Sequence, residues 1–479
     1  MKQSQPAGSI PGRRHRRRRL IRLALLLVLA ATWIVIVGPW PAYRGGYAGT
    51  AYALETLGDI AAAAAQDLGV GRSAGSLRAG YGEAEITPPI GTPLAGYGQR
   101  RGAPSTGVHD PLYVKALALH DGHDEVVLVG SDLLLVPDSV AESALVQLAA
   151  DPGLERRQVL FTASHTHSGP GGWAPGPIGR LFAGRRDAAV VRDLTERFVA
   201  AIRDAHRSLR PASIAGGHVE VPQLIRNRLI EGGETRPRLP ILAVREASQD
   251  AGGAGALLAI ATSYSAHPTV LGADNRLFSG DYPGAMQRHL AALTGAHALF
   301  LGGAVGSMGP RPPAAADAFA RMEAMGEELA RHANEVLAGL DFDDAVDLAG
   351  IAFPVALAPH QCKITDRLRL SPVLSQWLLR DRTTWLQAMR VGDRLWFGTP
   401  ADLSGELANE LTRELAAAGI IAEVCCFNGD YIGYVVPDRY AGMATYETRI
   451  MSWFGPATGS YLQDLMSRAG RVLLSAGVG

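Results

Sequence analysis

The 479-residue chain is 47% hydrophobic and 19% charged, a globular composition that excludes general disorder. Its zero formal charge is unevenly spread: residues 1–22 hold eight of the 46 Lys and Arg and no acid, leaving 38 basic against 46 acidic residues in the rest. An acidic remainder has no clustered cations for nucleic-acid phosphates, so no nucleic-acid partner is expected and the basic run reads as targeting.

In chain order, the first element is an apolar stretch over residues 23–37 (LALLLVLAATWIVIV) behind Lys2, Arg13, Arg14, Arg16, Arg17, Arg18, Arg19 and Arg22. With residues 20–22 it reaches the length of a membrane-spanning helix, Arg22 snorkelling to the headgroups. The cationic side stays in the cytoplasm, so residues 1–22 form a basic cytoplasmic segment, residues 20–38 a signal-anchor, and everything after Pro39 lies outside. A cleaved signal peptide followed by secretion is the alternative, although Gly38-Pro39-Trp40-Pro41 is a poor cleavage site. Residues 39–78 are rich in Gly and Ala and read as a spacer with one helix near 54–68, which leaves 79–479 for the main folded domain.

Length alone allows one large domain or two. Beyond residue 78, apolar runs at 113–119, 125–129, 158–163, 241–244, 257–263 and 394–397 read as strands, and 190–209, 319–340 and 406–418 carry helical periodicity. The alternation predicts an α/β fold: mixed sheets flanked by helices in a single large domain. Three cysteines, Cys362, Cys425 and Cys426, are too few for a thiolate metal site. The adjacent pair reads as core, and Cys362 could bond to one of them in an oxidising compartment. Any metal must therefore use His, carboxylate or Tyr.

The stretch Val159-Leu-Phe-Thr-Ala-Ser-His165-Thr-His167-Ser-Gly-Pro-Gly-Gly172 runs from an apolar strand into a His-x-His and a glycine-rich turn. In extended chain His165 and His167 share a side, an arrangement that presents zinc ligands, or two hydrogen-bonded histidines at a loop edge. His267 follows another apolar strand in Tyr-Ser-Ala-His-Pro. By itself a histidine at a strand end is more often structural. A catalytic zinc needs three protein ligands and an open position, so a carboxylate should complete the set.

These motifs resemble the catalytic domain of the neutral and alkaline non-lysosomal ceramidases over about residues 80–463. Glu85-Ile-Thr-Pro-Pro, Gly96-Tyr97-Gly98, Gly107-Val-His109, Gly130-Ser-Asp132, His165-Thr-His-Ser-Gly-Pro-Gly-Gly172, Arg226-Asn-Arg228 and Ala266-His267-Pro268 occur in the family's order. The resemblance implies a zinc-dependent amidohydrolase acting on ceramide-like N-acyl sphingoid lipids. It implies zinc on His165, His267, Asp402 of Gly398-Thr-Pro-Ala-Asp, and Tyr434 of Tyr431-Ile-Gly-Tyr, with His167, Arg228 and Tyr446 orienting and polarising the scissile carbonyl.

Two departures stand out. Asp402 replaces the family's Glu, one methylene shorter. In Gly302-Gly-Ala-Val-Gly-Ser307-Met-Gly309-Pro310 the family's serine position is Gly309, and Ser307 could supply a catalytic hydroxyl only if the loop geometry moved. The family's C-terminal immunoglobulin-like domain is expected to be lacking. A metal-activated water is therefore the expected nucleophile. The competing readings are a zinc hydrolase of another amide or ester, such as an N-acyl lipid or envelope component, and a tethered binding protein that has lost turnover. Protein partners are not legible.

Overall fold

The computed structural model describes residues 11–70, 76–248, 255–379 and 383–475. Lys2 and the rest of 1–10, residues 71–75 of the expected spacer and residues 476–479 lie outside the described residues.

Eight strands form the larger sheet: β1 (Arg78–Glu85), β2 (Tyr113–His120), β3 (Glu125–Ser131), β4 (Val159–Ala163), β5 (Arg210–Glu220), β6 (Arg238–Glu246), β7 (Leu257–Tyr264) and β8 (His297–Gly302). Their order is β8-β7-β6-β5-β1-β2-β3-β4, with parallel pairing only between β3 and β4 and between β7 and β8. A second sheet runs β9 (Leu348–Ala356), β10 (Thr383–Val391), β11 (Arg394–Thr399) and β12 (Ile421–Cys426) in sequence order.

The apolar runs are continuous because both faces of each sheet are buried. In β3, Val126 and Leu128 join Leu160, Leu301, Met389, Trp396 and Cys425 in the core between the sheets. Val127 and Val129 face the opposite way, into the core shared with Phe198 and Ile202. A one-residue slip would exchange these two sets.

Among the helices, α1 (Pro11–Ile36) precedes the domain and is fully exposed over His15–Ile36, long and apolar enough to cross a membrane. Helix α2 (Ala51–Ala64) lies in the expected spacer, yet Ala53, Thr56, Ile60 and Ala63 are buried and Thr56 Oγ1 accepts from Ala356 N at 2.9 Å. The spacer segment is thus bound to the domain through a small-residue face. Helices α3 (Asp138–Ala150), α4 (Gly176–Ala183), α5 (Ala188–Arg207), α6 (Asp281–Thr294) and α7 (Ala318–Leu337) follow, α5 packing on β1 and β2 and α7 on β5 and β6. The chain closes with α8 (Pro372–Leu379), α9 (Gly405–Ala416) and α10 (Thr458–Ser475), the last two flanking the small sheet. All three cysteines are free, with Cys425 and Cys426 in the core.

The carboxyl ends of β4, β7, β8, β11 and β12 meet at one edge of the sandwich. A Cβ on Gly302 would stand 1.9 Å from Ala163 O and 3.5 Å from the Phe427 ring, so this junction admits only glycine. Ligand sites of open α/β sheets gather at such an edge.

Candidate metal centre and cavity

Strand β4 stops at Ala163, two residues before the first histidine. His165 has φ of 65°, a left-handed conformation that costs a non-glycine residue stability and must be held by its surroundings. Phe427, itself at φ 68°, stacks on the imidazole at 4.2 Å and 3°. The Nδ1 of His165 lies 2.5 Å from Leu134 O. A carbonyl can only accept, so Nδ1 carries the proton and Nε2 presents its lone pair to the cluster.

His267, just past β7, has Nδ1 3.4 Å from Val305 O, which orients its Nε2 in the same way. His167 Nε2 is 2.9 Å from His267 Nε2, and the three imidazoles offer ring nitrogens all within 4.8 Å of one another. His165 and His167 thus converge, but through a turn rather than through strand alternation. Tyr97 packs on the His167 ring at 4.7 Å, and a Cβ on the intervening Gly96 would come within 2.6 Å of that ring.

Asp402 and Tyr434 arrive from the small sheet as register partners in a two-residue parallel ladder, Asp402–Leu403 against Tyr434–Val435. Asp402 does not cap α9; Ser404 does. Its Oδ2 accepts from Tyr431 OH at 2.6 Å. Its Oδ1 stands 3.3 Å from His165 Nε2 and, like His167 Nδ1, has no hydrogen-bond partner among the described residues. The Tyr434 ring lies parallel to His267 at 6.4 Å.

Arg228 completes the floor. Its Nη2 donates to Tyr434 OH and Gly306 O, both at 3.0 Å, and its Nε pairs with Glu447 Oε1 at 3.2 Å. Glu447 sits in the π-helical turn Tyr446–Ile450, which brings the Tyr446 ring within 5.7 Å of the Tyr434 ring. Ser307 is turned away from this group. Its hydroxyl donates to Glu406 Oε2 and accepts from Gly405 N at 3.1 Å, while Asn227 Nδ2 donates to Glu406 Oε1 at 2.7 Å. What Ser307 contributes locally is its carbonyl, which accepts from Arg228 N at 2.9 Å. At Gly309, opposite Arg226 in the short ladder Met308–Pro310, a Cβ would meet nothing closer than 3.6 Å.

Electrostatics follow from burial. It lowers His165 to about 3 and pushes His167 and His267 well below the usual range, so all three are neutral donors at physiological pH. Burial raises Asp402 to about 7, against the Tyr431 hydrogen bond and the Arg228 charge. Burial and then the Asp402 carboxylate push the Tyr434 phenol well up. Neutral imidazole lone pairs aimed inward, beside a buried carboxylate oxygen with no donor, fit a divalent cation.

Above this floor a cavity of about 210 Å³ opens, walled by Leu134, Trp173, Ile178, Phe182, Leu378 and Trp453. His165, His167, Asp402, Tyr431, Tyr434 and Tyr446 lie at its polar end. Sequence reading did not single out Tyr431, Glu447, Phe427 or Glu406. The Tyr431-Ile-Gly-Tyr string was the one available signal.

Residues 77–294 match the family model for neutral/alkaline non-lysosomal ceramidase, N-terminal. The resemblance to the ceramidase family is real. His165, His167, Arg228 and His267 fall inside the matched segment, and Ser307, Asp402, Tyr434 and Tyr446 beyond it. Neutral ceramidase of Mycobacterium tuberculosis is 28% identical over 152 residues, 30% of this chain and 24% of that protein. Neutral ceramidase of Pseudomonas aeruginosa is 25% identical over 228 residues, 44% of this chain and 33% of its own length. These matches therefore span a third or less of the curated relatives.

In fold the likeness runs further. The crystal structure of the Pseudomonas aeruginosa neutral ceramidase superposes with a TM-score of 0.73 at 20% identity, covering 85% of this chain and 75% of that one. A structure titled "Ceramidase complexed with C2" gives 0.68 at 21%, over 83% and 75%. The likeness in fold therefore extends beyond the segment that the family model matches.

Proposed function

We propose that the chain is a zinc-dependent amidohydrolase that cleaves the amide bond of ceramide-like N-acyl sphingoid lipids. The observation that carries the reading is the buried histidine triad with the orphan Oδ1 of Asp402 at the end of an apolar-walled cavity. His165, His267, Asp402 and Tyr434 would hold the ion, with His167 close enough to serve as a further donor. Zinc bound there would activate a water for attack on an acyl carbonyl.

The chain's own groups do the rest. Tyr446, whose ring lines the cavity, and Arg228, which donates to the Tyr434 hydroxyl, would stabilise charge on the carbonyl oxygen as donors held in place before the reaction. His167, neutral and beside His267, would take a proton and return it to the leaving amine wherever it is not itself a ligand. Apolar walls exclude water and suit an acyl chain, which supports an N-acyl lipid over a small polar amide or ester. The residue roles and the extent of the catalytic domain, 79–479, belong to the same proposal, as does anchoring through α1.

The test is zinc content of the purified full chain together with fatty-acid release from N-acylsphingosine. Stoichiometric zinc with release supports the reading. Zinc without release would shift the substrate to another amide or ester, and absence of zinc would favour a tethered binding protein.

Proton competition gives an independent check. Of the proposed ligands only Asp402 titrates near neutrality, and a carboxyl must lose its proton before it binds metal. Zinc affinity, measured against a competing chelator, is expected to rise about tenfold per pH unit up to pH 7 and then to level off. Asp402→Asn should remove that slope and weaken binding above pH 7; a variant that binds zinc as tightly as the wild type at pH 8 would take Asp402 out of the ligand set.

Ser307 is assigned a structural role. Ser307→Ala removes a donor from the buried Glu406 carboxylate and is expected to cost about 1–3 kcal/mol in denaturant unfolding. Release should persist, in contrast to the ~10⁶-fold loss that follows removal of a serine nucleophile. A loss of that size with unchanged stability would restore Ser307 as the nucleophile.

A further inference from the structure

Helix α1 does not hang free of the domain. Ser371 Oγ donates to Ile36 O and Ser371 N to Val37 O at 2.9 Å. Trp40 and Pro41 pair antiparallel with Arg369 and Leu368, and Ala42 N donates to Arg367 O at 2.8 Å. The apolar helix therefore ends on the segment that begins α8 one residue later.

Helix α8, PVLSQWLL, has no charged residue. It is about 12 Å long at 1.5 Å per residue, so its whole outer face lies close to the end of α1. Val373 and Trp377, four apart and hence on one face, are 60% and 63% exposed. At its far end Leu378 and Leu379 line the cavity. Helix α4, which packs against α8, adds exposed Leu181, and Ile450 beside the cavity residue Met451 is exposed as well. Such a rim, continuous with an apolar helix, has one evident occupant. Tryptophan favours the headgroup level, and apolar side chains just beneath it gain burial in the acyl boundary.

We propose that the outer face of α8, with Val373 and Trp377, rests in the bilayer that α1 spans, so that the cavity opens at the membrane interface and receives its lipid laterally. The inference rests on reading α1 as a membrane span and the cavity as the substrate site. It deepens that reading by fixing how the domain is oriented.

The full chain is reconstituted in phosphatidylcholine vesicles with and without bromine on the upper acyl carbons. The difference in emission between wild type and Trp377→Phe isolates Trp377. Quenching of that component by brominated lipid and its protection from aqueous acrylamide are expected; the reverse pattern overturns the proposal whatever the enzyme activity. In a second arm, Val373→Glu/Trp377→Glu is expected to slow release from vesicle-embedded N-acylsphingosine by about tenfold or more, since it sets charge against the acyl boundary. Its rate on detergent-dispersed short-chain N-acylsphingosine should be unchanged. Equal loss on both substrates, or loss on neither, overturns the docking role. If wild type releases nothing from either substrate, the hydrolase reading fails while the fluorescence arm still decides the docking.

Discussion

His165→Ala is expected to leave a folded protein that neither retains zinc after dialysis nor releases fatty acid, the rate falling by at least ~10³-fold, the upper range for losing one charge-stabilising group. His165 is held in place from three sides: the Phe427 stack, the Leu134 carbonyl and the left-handed backbone all act on this one ring. Such preorganisation means that His167, His267, Asp402 and Tyr434 cannot simply close around the ion in its absence. Chelation supplies the control. Removing zinc from the wild type should lower its thermal midpoint, because a ligand bound only to the native state stabilises it. The same treatment should leave the midpoint of His165→Ala unmoved. Near-stoichiometric zinc in the variant, with release retained, would sink the assignment of His165.

The strand before that histidine was legible because residues 159–163 are apolar and wholly buried, as were the other core strands, whose two faces each meet a core. What failed was the local argument for convergence. Alternation along a strand would place His165 and His167 on one side, but the strand ends at Ala163 and φ of 65° turns the chain. The two rings still meet, because tertiary contacts from residues 134 and 427 determine where His165 points.

Asp402 and Tyr434 could be found only through family resemblance. Their juxtaposition comes from a parallel ladder of two residues on each side, too short to leave a periodic signal. Tyr431 and Glu447 were missed for the same reason: their roles lie in a hydrogen bond to Asp402 and an ion pair with Arg228, which nothing in their local sequence announces. Helix α2 shows the converse. Ala53, Thr56, Ile60 and Ala63 carry a readable helical stripe, so a docked helix rather than a spacer could have been expected from the spacing.

Arg228→Met should separate stability from chemistry more sharply than any other substitution at the site. The guanidinium bridges Tyr434 OH, Gly306 O and Glu447 Oε1, and the two last-named partners cannot donate to one another in its absence. Glu447 is 8% exposed; a buried carboxylate left without its cation costs about 3–5 kcal/mol. A marked drop in the denaturant midpoint is therefore expected. Arg228→Met/Glu447→Gln removes both charges and should recover most of that stability.

Activity should not recover with it. If Arg228 stabilises charge on the carbonyl oxygen, kcat stays depressed by about 10²–10³-fold in the double variant, with KM little changed. Arg228→Lys tests the geometry, since an ammonium keeps the charge but cannot reach Tyr434, Gly306 and Glu447 with one planar fork. Partial stability with poor kcat is the expected result. A double variant that regained both stability and wild-type kcat would reduce Arg228 to a strut for the Tyr446 turn, and the oxyanion would then have to be met by Tyr446 and the metal.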